Sequence, residues 1–362
     1  MDELADRLAA RTLEFVDIPS ESRSEAAIRE HVLELVPPWL APAFAGDEAF
    51  LFLPRARSTA LLVLLAGHYD TAPAQGNIPG EITDGEVRGL GASDMKGGLA
   101  VAIELLRDLE GHSGRSVDVG LLLFGREELG VDEDPLPALF EGCQQVHDAS
   151  LAILLEPTAG QVHAGCLGNV VAELVFHGTS GHSARPWLAE NAIERAVEGL
   201  APLVETPRRE AVIDGLAFVE SLSITGLAAG IADNVIPDRA VATLSFRYAP
   251  DRTPEDAEQY LRSLVPGDAS LETRSNAASG RVVGDSPLLA ALLAAGAQGV
   301  QPKQAWTNVA DFTGNGIDAV NFGPGDPAFA HHRDEKVKIA ALVHAYETLL
   351  RFLTAAIEDD ER

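Results

Sequence analysis

Three short apolar runs in the first half of the chain end in side chains that bind metal ions or move protons. LLVLLAG stops at His68-Tyr69-Asp70, VGLLLFG at Arg126-Glu127-Glu128, and LAILL at Glu156, while Asp94 opens the loop leading into GGLAVAIELL. A single histidine at a strand end is ordinarily a hydrogen-bonded side chain, and a Glu-Glu pair is ordinarily solvated charge. Three consecutive runs with such ends place several ionisable groups at one edge of a sheet. A shared cation is the simplest reason for tolerating that density. His68 and Asp70 are two apart in extended chain and point to the same face, so Asp70 can orient the imidazole. Glu127 and Glu128 are adjacent and point in different directions, which lets one bind a metal while the other faces a water. A carboxylate can bridge two cations, and imidazole and carboxylate donors without thiolates suit zinc in a two-metal hydrolytic centre. Cobalt or manganese fits the same donors.

Those side chains need a scaffold, and the runs supply it. Each is continuously apolar without polar alternation, the pattern of a strand buried on both faces. GGLAVAIELLRDL, between the first two, has helical periodicity, so the order is strand, helix, strand, and the class is α/β. In such sheets ligands gather beyond the carboxyl ends of the strands. Residues 1–36 carry apolar positions at helical spacing (Leu4, Leu8, Phe15, Val16, then Ile28, Val32, Leu35) and fit two helices with Pro19 between them. After Gly168 the pattern becomes β-α-β-β-α-β: VVAELVFHG, AENAIERAVEGLAPL, FVESLSITGL, AVATLSFRY, TPEDAEQYLRSLV and ASLETRS. That is a split, ferredoxin-like α+β layer. After Gly284 come a helix, the strand DAVNFG and a final helix through Ala356. The expected architecture is a core domain, 1–168 and 284–362, interrupted by an inserted domain, 169–283.

A length of 362 residues favours two domains over one. The formal net charge of −28 opposes binding to a phosphate backbone, so nucleic acid is excluded as a partner. No stretch reaches the roughly 18–20 apolar residues that span a bilayer, and the acidic start lacks the pattern of a signal peptide, so the expectation is a cytoplasmic protein with no membrane partner. Two cysteines, Cys143 and Cys166, are too few for a disulfide framework or a thiolate metal site.

GHYDT, GASDMKGG, REELG, LEPT, GTSGHSARP, DNVIPDRAVATLSFR and FGPGDPAFAHHRDE follow one another between Gly67 and Glu335. In that order they resemble the successive motifs of the M20 metallopeptidases. The resemblance implies a zinc-exopeptidase-like catalytic domain with an inserted lid that usually forms a homodimer interface. It implies two Zn2+, with His68 and Glu156 as terminal ligands of one, Glu128 and His331 of the other, and Asp94 as the bridge. His331 is preferred over His332 because the family pattern runs His, two residues, Asp or Asn, then Glu, matched by Asp334 and Glu335. A cis peptide is implied after Asp94. Glu127 resembles the general base, His182 the histidine that stabilises the oxyanion, often from the partner subunit, and Asn234 and Arg247 the residues that bind substrate carboxylates. Thr307 and the Gly323-Pro324-Gly325 loop resemble parts of the substrate pocket.

The implied reaction is hydrolysis of an N-acylated amino acid. Within the family the resemblance is nearest to the desuccinylases, which act on N-succinyl-LL-2,6-diaminopimelate in lysine biosynthesis. The chain departs from them at Asp311, where they commonly carry an arginine. An acid there could accept a substrate ammonium but could not pair with a succinyl carboxylate. Deacetylation of N-acetylornithine, release of lysine or ornithine from a carrier protein, and aminoacylase or carboxypeptidase activity therefore stay open. A non-catalytic metal-binding scaffold is the alternative of a different class. Glu127 speaks against it, because it is present beside Glu128 without being needed as a ligand.

Overall fold

The computed structural model describes residues 3–112, 115–267 and 269–355. Met1 and Asp2, at the start of the first expected helix, and Ala356, at the end of the last, lie outside the described residues. The described chain divides into two compact units. One is drawn from Met1–Ala164, Val283–Gln301 and Asp311–Arg362, the other from Gly165–Val282 and Pro302–Ala310. The segment Pro302–Ala310, which carries Thr307, thus packs with the inserted part of the chain.

The first unit is built on an eight-stranded sheet. Its order is Leu40–Ala45, Ala49–Pro54, Asp118–Phe124, Leu62–His68, Leu151–Leu154, Ala319–Asn321, Val162–Cys166 and Val300–Lys303. Every residue of Leu62–His68 and Asp118–Phe124 is buried, which is why Leu62–Gly67 and Val119–Phe124 read as unbroken apolar runs. Leu62–His68 runs parallel to Asp118–Phe124 on one side and to Leu151–Leu154 on the other, and Ala319–Asn321 runs parallel to Leu151–Leu154. The register pairs His68 with Phe124, Ala66 with Leu154, and Leu154 with Asn321. Four strands therefore end at one level, and the residues that follow each of them meet there. The helices Glu3–Val16, Gly97–Asp108, Pro287–Ala295 and Ile339–Thr354 pack against one another beside this sheet.

The hairpin Leu40–Ala45 and Ala49–Pro54 at one sheet edge has no counterpart in the sequence reading. Its first strand carries a proline and alternates imperfectly, and its second strand is the one that pairs with Asp118–Phe124, so the hairpin's place in the sheet is set by that strand rather than by local pattern.

The second unit is an antiparallel sheet in the order Arg209–Ile213, Leu216–Ala229, Arg239–Tyr248, Gly168–His177 and Ala269–Ala277. Along Arg239–Tyr248 buried residues alternate strictly with less buried ones. The buried row packs with Val170, Leu174, Ala196, Leu200, Ala257 and Leu261 in one apolar core. The helix Ala192–Val204 is capped by the Asn191 side chain and Pro254–Ser263 by a Thr253–Asp256 capping box. This is the ferredoxin-like layer with one strand added, Arg209–Ile213. Asp214 and Gly215, both at positive φ (48° and 80°), make the two-residue turn that joins it to Leu216–Ala229. Asp-Gly is the expected pair for such a turn. No described helix is long and apolar enough to cross a membrane.

Candidate metal centre

Beyond the aligned strand ends of the first unit, His68, Asp94, Glu128, Glu156 and His331 come together. His68 Nε2 lies 3.3 Å from Asp94 Oδ1 and 3.7 Å from Glu156 Oε1. His331 Nε2 lies 3.6 Å from Asp94 Oδ2 and 2.8 Å from Glu128 Oε2. Each oxygen of Asp94 thus faces a different histidine, and each histidine has its own second carboxylate. Donor atoms held at about 2.0–2.2 Å by a tetrahedral zinc stand about 3.3–3.6 Å apart, close to the spacings around Asp94. Among the described residues, His68, Asp94 and Glu128 offer donor atoms that all lie within 4.8 Å of one another. Imidazole and carboxylate donors in this arrangement fit a pair of divalent cations.

Charge is crowded here. Burial, together with the carboxylates of Glu156, Glu128 and Asp94, holds the Glu127 carboxyl well above its ordinary range, against the opposing pull of His68. Burial pulls His68 down, but the hydrogen bonds to Asp70 and Asp94 and the Glu127 charge lift it well above its usual value. The hydrogen bond to Glu128 pushes His331 up to about 9. Both imidazoles are drawn toward the protonated form because the surrounding acids call for positive charge, which bound cations supply without protonating their ligands.

The supports come from far along the chain. Asp70 is fully buried, and its carboxylate accepts the backbone N–H of Glu127 at 3.1 Å, that of Glu128 at 3.2 Å and the Ser22 hydroxyl at 2.7 Å. It also lies 3.4 Å from His68 Nδ1, whose nearer partner is the Asp70 backbone carbonyl at 3.1 Å. Burial would raise the Asp70 carboxyl, but His68, Ser22 and the Glu128 N–H hold it below its usual range. Asp70 therefore sets the turn carrying Glu127 and Glu128 as well as the imidazole. The Glu127 carboxylate accepts no hydrogen bond from a described residue, so it is free for a substrate or a water.

The peptide Asp94-Met95 is cis. His331 adopts φ 58°, a left-handed conformation that costs a non-glycine residue about 1–3 kcal/mol. Gln75 Nε2 donates to its backbone carbonyl at 3.0 Å and helps hold it there. His332 turns elsewhere, its Nδ1 accepting the Asp334 N–H at 3.1 Å. At Gly323 a Cβ would stand 2.5 Å from the Glu156 carbonyl, and at Gly325 2.2 Å from the Ser93 carbonyl. These glycines let their loop lie directly against the backbone beside Glu156 and Asp94.

The remaining candidates belong to the second unit, where the structure brings His182 and Asn234 together. His182 pairs with Val235 in a short two-stranded ribbon, and the Ser183 N–H donates to the Asn234 carbonyl at 3.0 Å. The Ala184 N–H donates to His182 Nδ1 at 3.0 Å, so the proton of the neutral ring sits on Nε2, an exposed donor. Arg247 lies mid-strand between Ser221 and Asn169, partly buried. Burial lowers its pKa, and its guanidinium has no carboxylate partner among the described residues. Thr307 is buried, its hydroxyl without a hydrogen-bond partner among the described residues and its carbonyl 3.5 Å from the Cys166 thiol.

Sequence reasoning assigned no function to Ser22 or to Glu335. Ser22 gives no spacing signal. Glu335 carries one, since it lies four residues past His331, but only the fold brings it to the Asp94 loop, where its carboxylate accepts three backbone N–H groups.

Residues 64–355 match peptidase family M20/M25/M40. The chain is 34% identical over 364 residues to the succinyl-diaminopimelate desuccinylase of Corynebacterium glutamicum, covering 98% of each. It is 39% identical over 348 residues to a Mycobacterium tuberculosis protein provisionally given the same name, covering 94% of this chain and 96% of that one. The crystal structure of a Bacillus subtilis M20 peptidase, described as dinuclear and metal-binding, matches the fold with a TM-score of 0.69 at 17% identity, covering 99% of each chain. This chain belongs to peptidase family M20/M25/M40 and is a metal-dependent amide hydrolase.

Proposed function

We propose that the chain is a cytoplasmic, homodimeric two-zinc desuccinylase that hydrolyses N-succinyl-LL-2,6-diaminopimelate to succinate and LL-2,6-diaminopimelate in lysine biosynthesis. The observation that carries the two-metal reading is the placement of Asp94, one oxygen toward His68 and Glu156, the other toward His331 and Glu128. The substrate reading rests on the likeness to the relatives that bear that name.

His68, Glu156 and Asp94 would hold one Zn2+, and His331, Glu128 and Asp94 the other. Bound there, the metals would lower the pKa of a water and polarise the scissile carbonyl. Glu127, whose carboxylate accepts no hydrogen bond from a described residue, takes the proton of the attacking water and returns it to the leaving amine. His182 offers its Nε2–H to the developing oxyanion. Arg247, partly desolvated and without a carboxylate partner, suits a substrate carboxylate bound through its planar pair of donors. Asn234 and Thr307 in the unit of the inserted domain, and the Gly323–Gly325 loop in the catalytic unit, are each assigned to substrate contact by the family resemblance. Support for the dimer comes from apolar side chains exposed on the inserted domain, among them Val197, Val204, Leu227 and Ile231.

The test is turnover by the purified, zinc-loaded protein of N-succinyl-diaminopimelate, N-acetylornithine and simple N-acyl amino acids. The highest kcat/KM is expected on the succinyl substrate. A higher value on N-acetylornithine would replace the acyl group and leave the hydrolase reading standing. Full metal loading with no turnover of any of them would favour the scaffold.

Arg247→Ala is expected to act mainly by raising KM, with a loss in kcat only if carboxylate binding drives closure of the inserted domain. The control is an acyl substrate lacking the carboxylate, on which parent and variant should perform alike. Equal impairment on both substrates would make Arg247 a structural residue.

A further inference from the structure

Glu335 is 2% exposed, and its carboxylate is committed to backbone alone. Oε1 accepts the N–H of Ser93 at 3.0 Å and of Asp94 at 2.9 Å, and Oε2 accepts the N–H of Gly91 at 2.9 Å. The Glu335 backbone carbonyl takes a fourth bond, from the Gly89 N–H at 3.0 Å. The loop around Asp94 is thereby stitched to the segment that carries His331, across 241 residues of sequence. A carboxylate is the one side chain that presents acceptors in every direction, so it can receive three convergent N–H groups. Burying it is unfavourable unless those bonds are made, which argues for a specific task rather than space filling.

We infer that Glu335 is a positioning residue for the metal centre, a clasp that fixes Asp94 relative to His331 so that each Asp94 oxygen faces its own histidine. The inference rests on the proposed reading of Asp94 and His331 as metal ligands. Glutamine at this position keeps the size of the side chain. It offers one acceptor oxygen, and its amide N–H groups would confront a backbone N–H. The Asp94 loop would then lose its fixed aim while the rest of the fold keeps its core.

Parent, Glu335→Gln and Asp94→Ala are to be compared by Zn2+ titration, by the visible spectrum of the Co2+-loaded protein and by steady-state kinetics. Glu335→Gln is expected to weaken Zn2+ binding by ~10–100-fold, the usual effect of losing a group that orients a ligand, and to change the Co2+ spectrum. It should lower kcat while leaving KM nearly unchanged, and the Co2+ spectrum of the loaded variant separates a misaimed ligand from a simple loss of folded enzyme. Parent-like affinity and spectrum in Glu335→Gln, beside metal loss in Asp94→Ala, would overturn the clasp and leave the ligand set standing. Parent-like metal binding in both variants would overturn the ligand set and the clasp together. Should Glu335→Gln fail to fold, hydrogen exchange in the parent decides. The Gly91, Ser93 and Asp94 amides should be as protected as the central strands, and exchange at open-loop rates would sink the inference.

Discussion

Replacing Glu127 with glutamine should lower kcat by ~10²–10⁴ while both metals stay bound and KM changes little. The substitution keeps the shape of the side chain, and the turn that presents it is held through the backbone N–H groups of Glu127 and Glu128 on Asp70, which the change does not touch. What is lost is the capacity to take up a proton. Glu127 is suited to that task by its surroundings. Burial first, against the pull of His68, and then the charges of Glu156, Glu128 and Asp94 hold its carboxyl well above its ordinary range, which favours the uptake of a proton. Its neighbour Glu128 cannot stand in, being occupied with His331. Metal stoichiometry measured beside the kinetics separates a lost base from a lost ligand. Turnover at the parent rate would remove Glu127 from the proposed mechanism, and loss of one metal would make it a ligand instead.

Replacing His182 with alanine should lower kcat by ~10²–10³, the scale of a missing oxyanion donor, with metal binding intact. The bond from the Ala184 N–H to Nδ1 leaves Nε2 as the donor, so the ring is already in the tautomer the task needs. Because His182 lies on the inserted domain, its role demands that this domain deliver it to the metals during turnover. Mixing His182→Ala protein with Glu127→Gln protein tests the route. If the donor serves the partner's metals, exchange of subunits pairs an intact Glu127 with an intact His182 and activity returns. If it serves its own, the mixture stays inactive. Parent-like kcat in His182→Ala would reduce the residue to a turn histidine that caps backbone groups.

Much of the fold and of the centre is legible in the sequence because both follow from local pattern. Leu62–His68 and Asp118–Phe124 are buried on both faces, so Leu62–Gly67 and Val119–Phe124 must be continuously apolar, and the first polar residues after such runs mark the strand ends. His68, the Glu127-Glu128 pair and Glu156 stand at those ends, where parallel strands bring their successors to one level. The inserted domain is legible for the converse reason, since a one-sided antiparallel sheet writes its buried face as alternation. The hairpin Leu40–Ala45 and Ala49–Pro54 is not, because its pairing depends on a strand about 70 residues away in the chain.

Tertiary structure decided what depends on contacts between distant segments. The motif pattern already favoured His331 over His332, but what aims it is the left-handed turn at His331, which turns its ring to Glu128 and Asp94 while His332 closes on Asp334. Spacing assigned Asp70 to His68, but folding also placed its carboxylate under the backbone of Glu127 and Glu128, 57 and 58 residues onward. Glu335 bonds to backbone N–H groups, which every non-proline residue carries, so no residue type in the sequence marks its partners. Residue types and strand ends therefore determined which chemistry the chain carries, and long-range packing decided which atom of each side chain faces which.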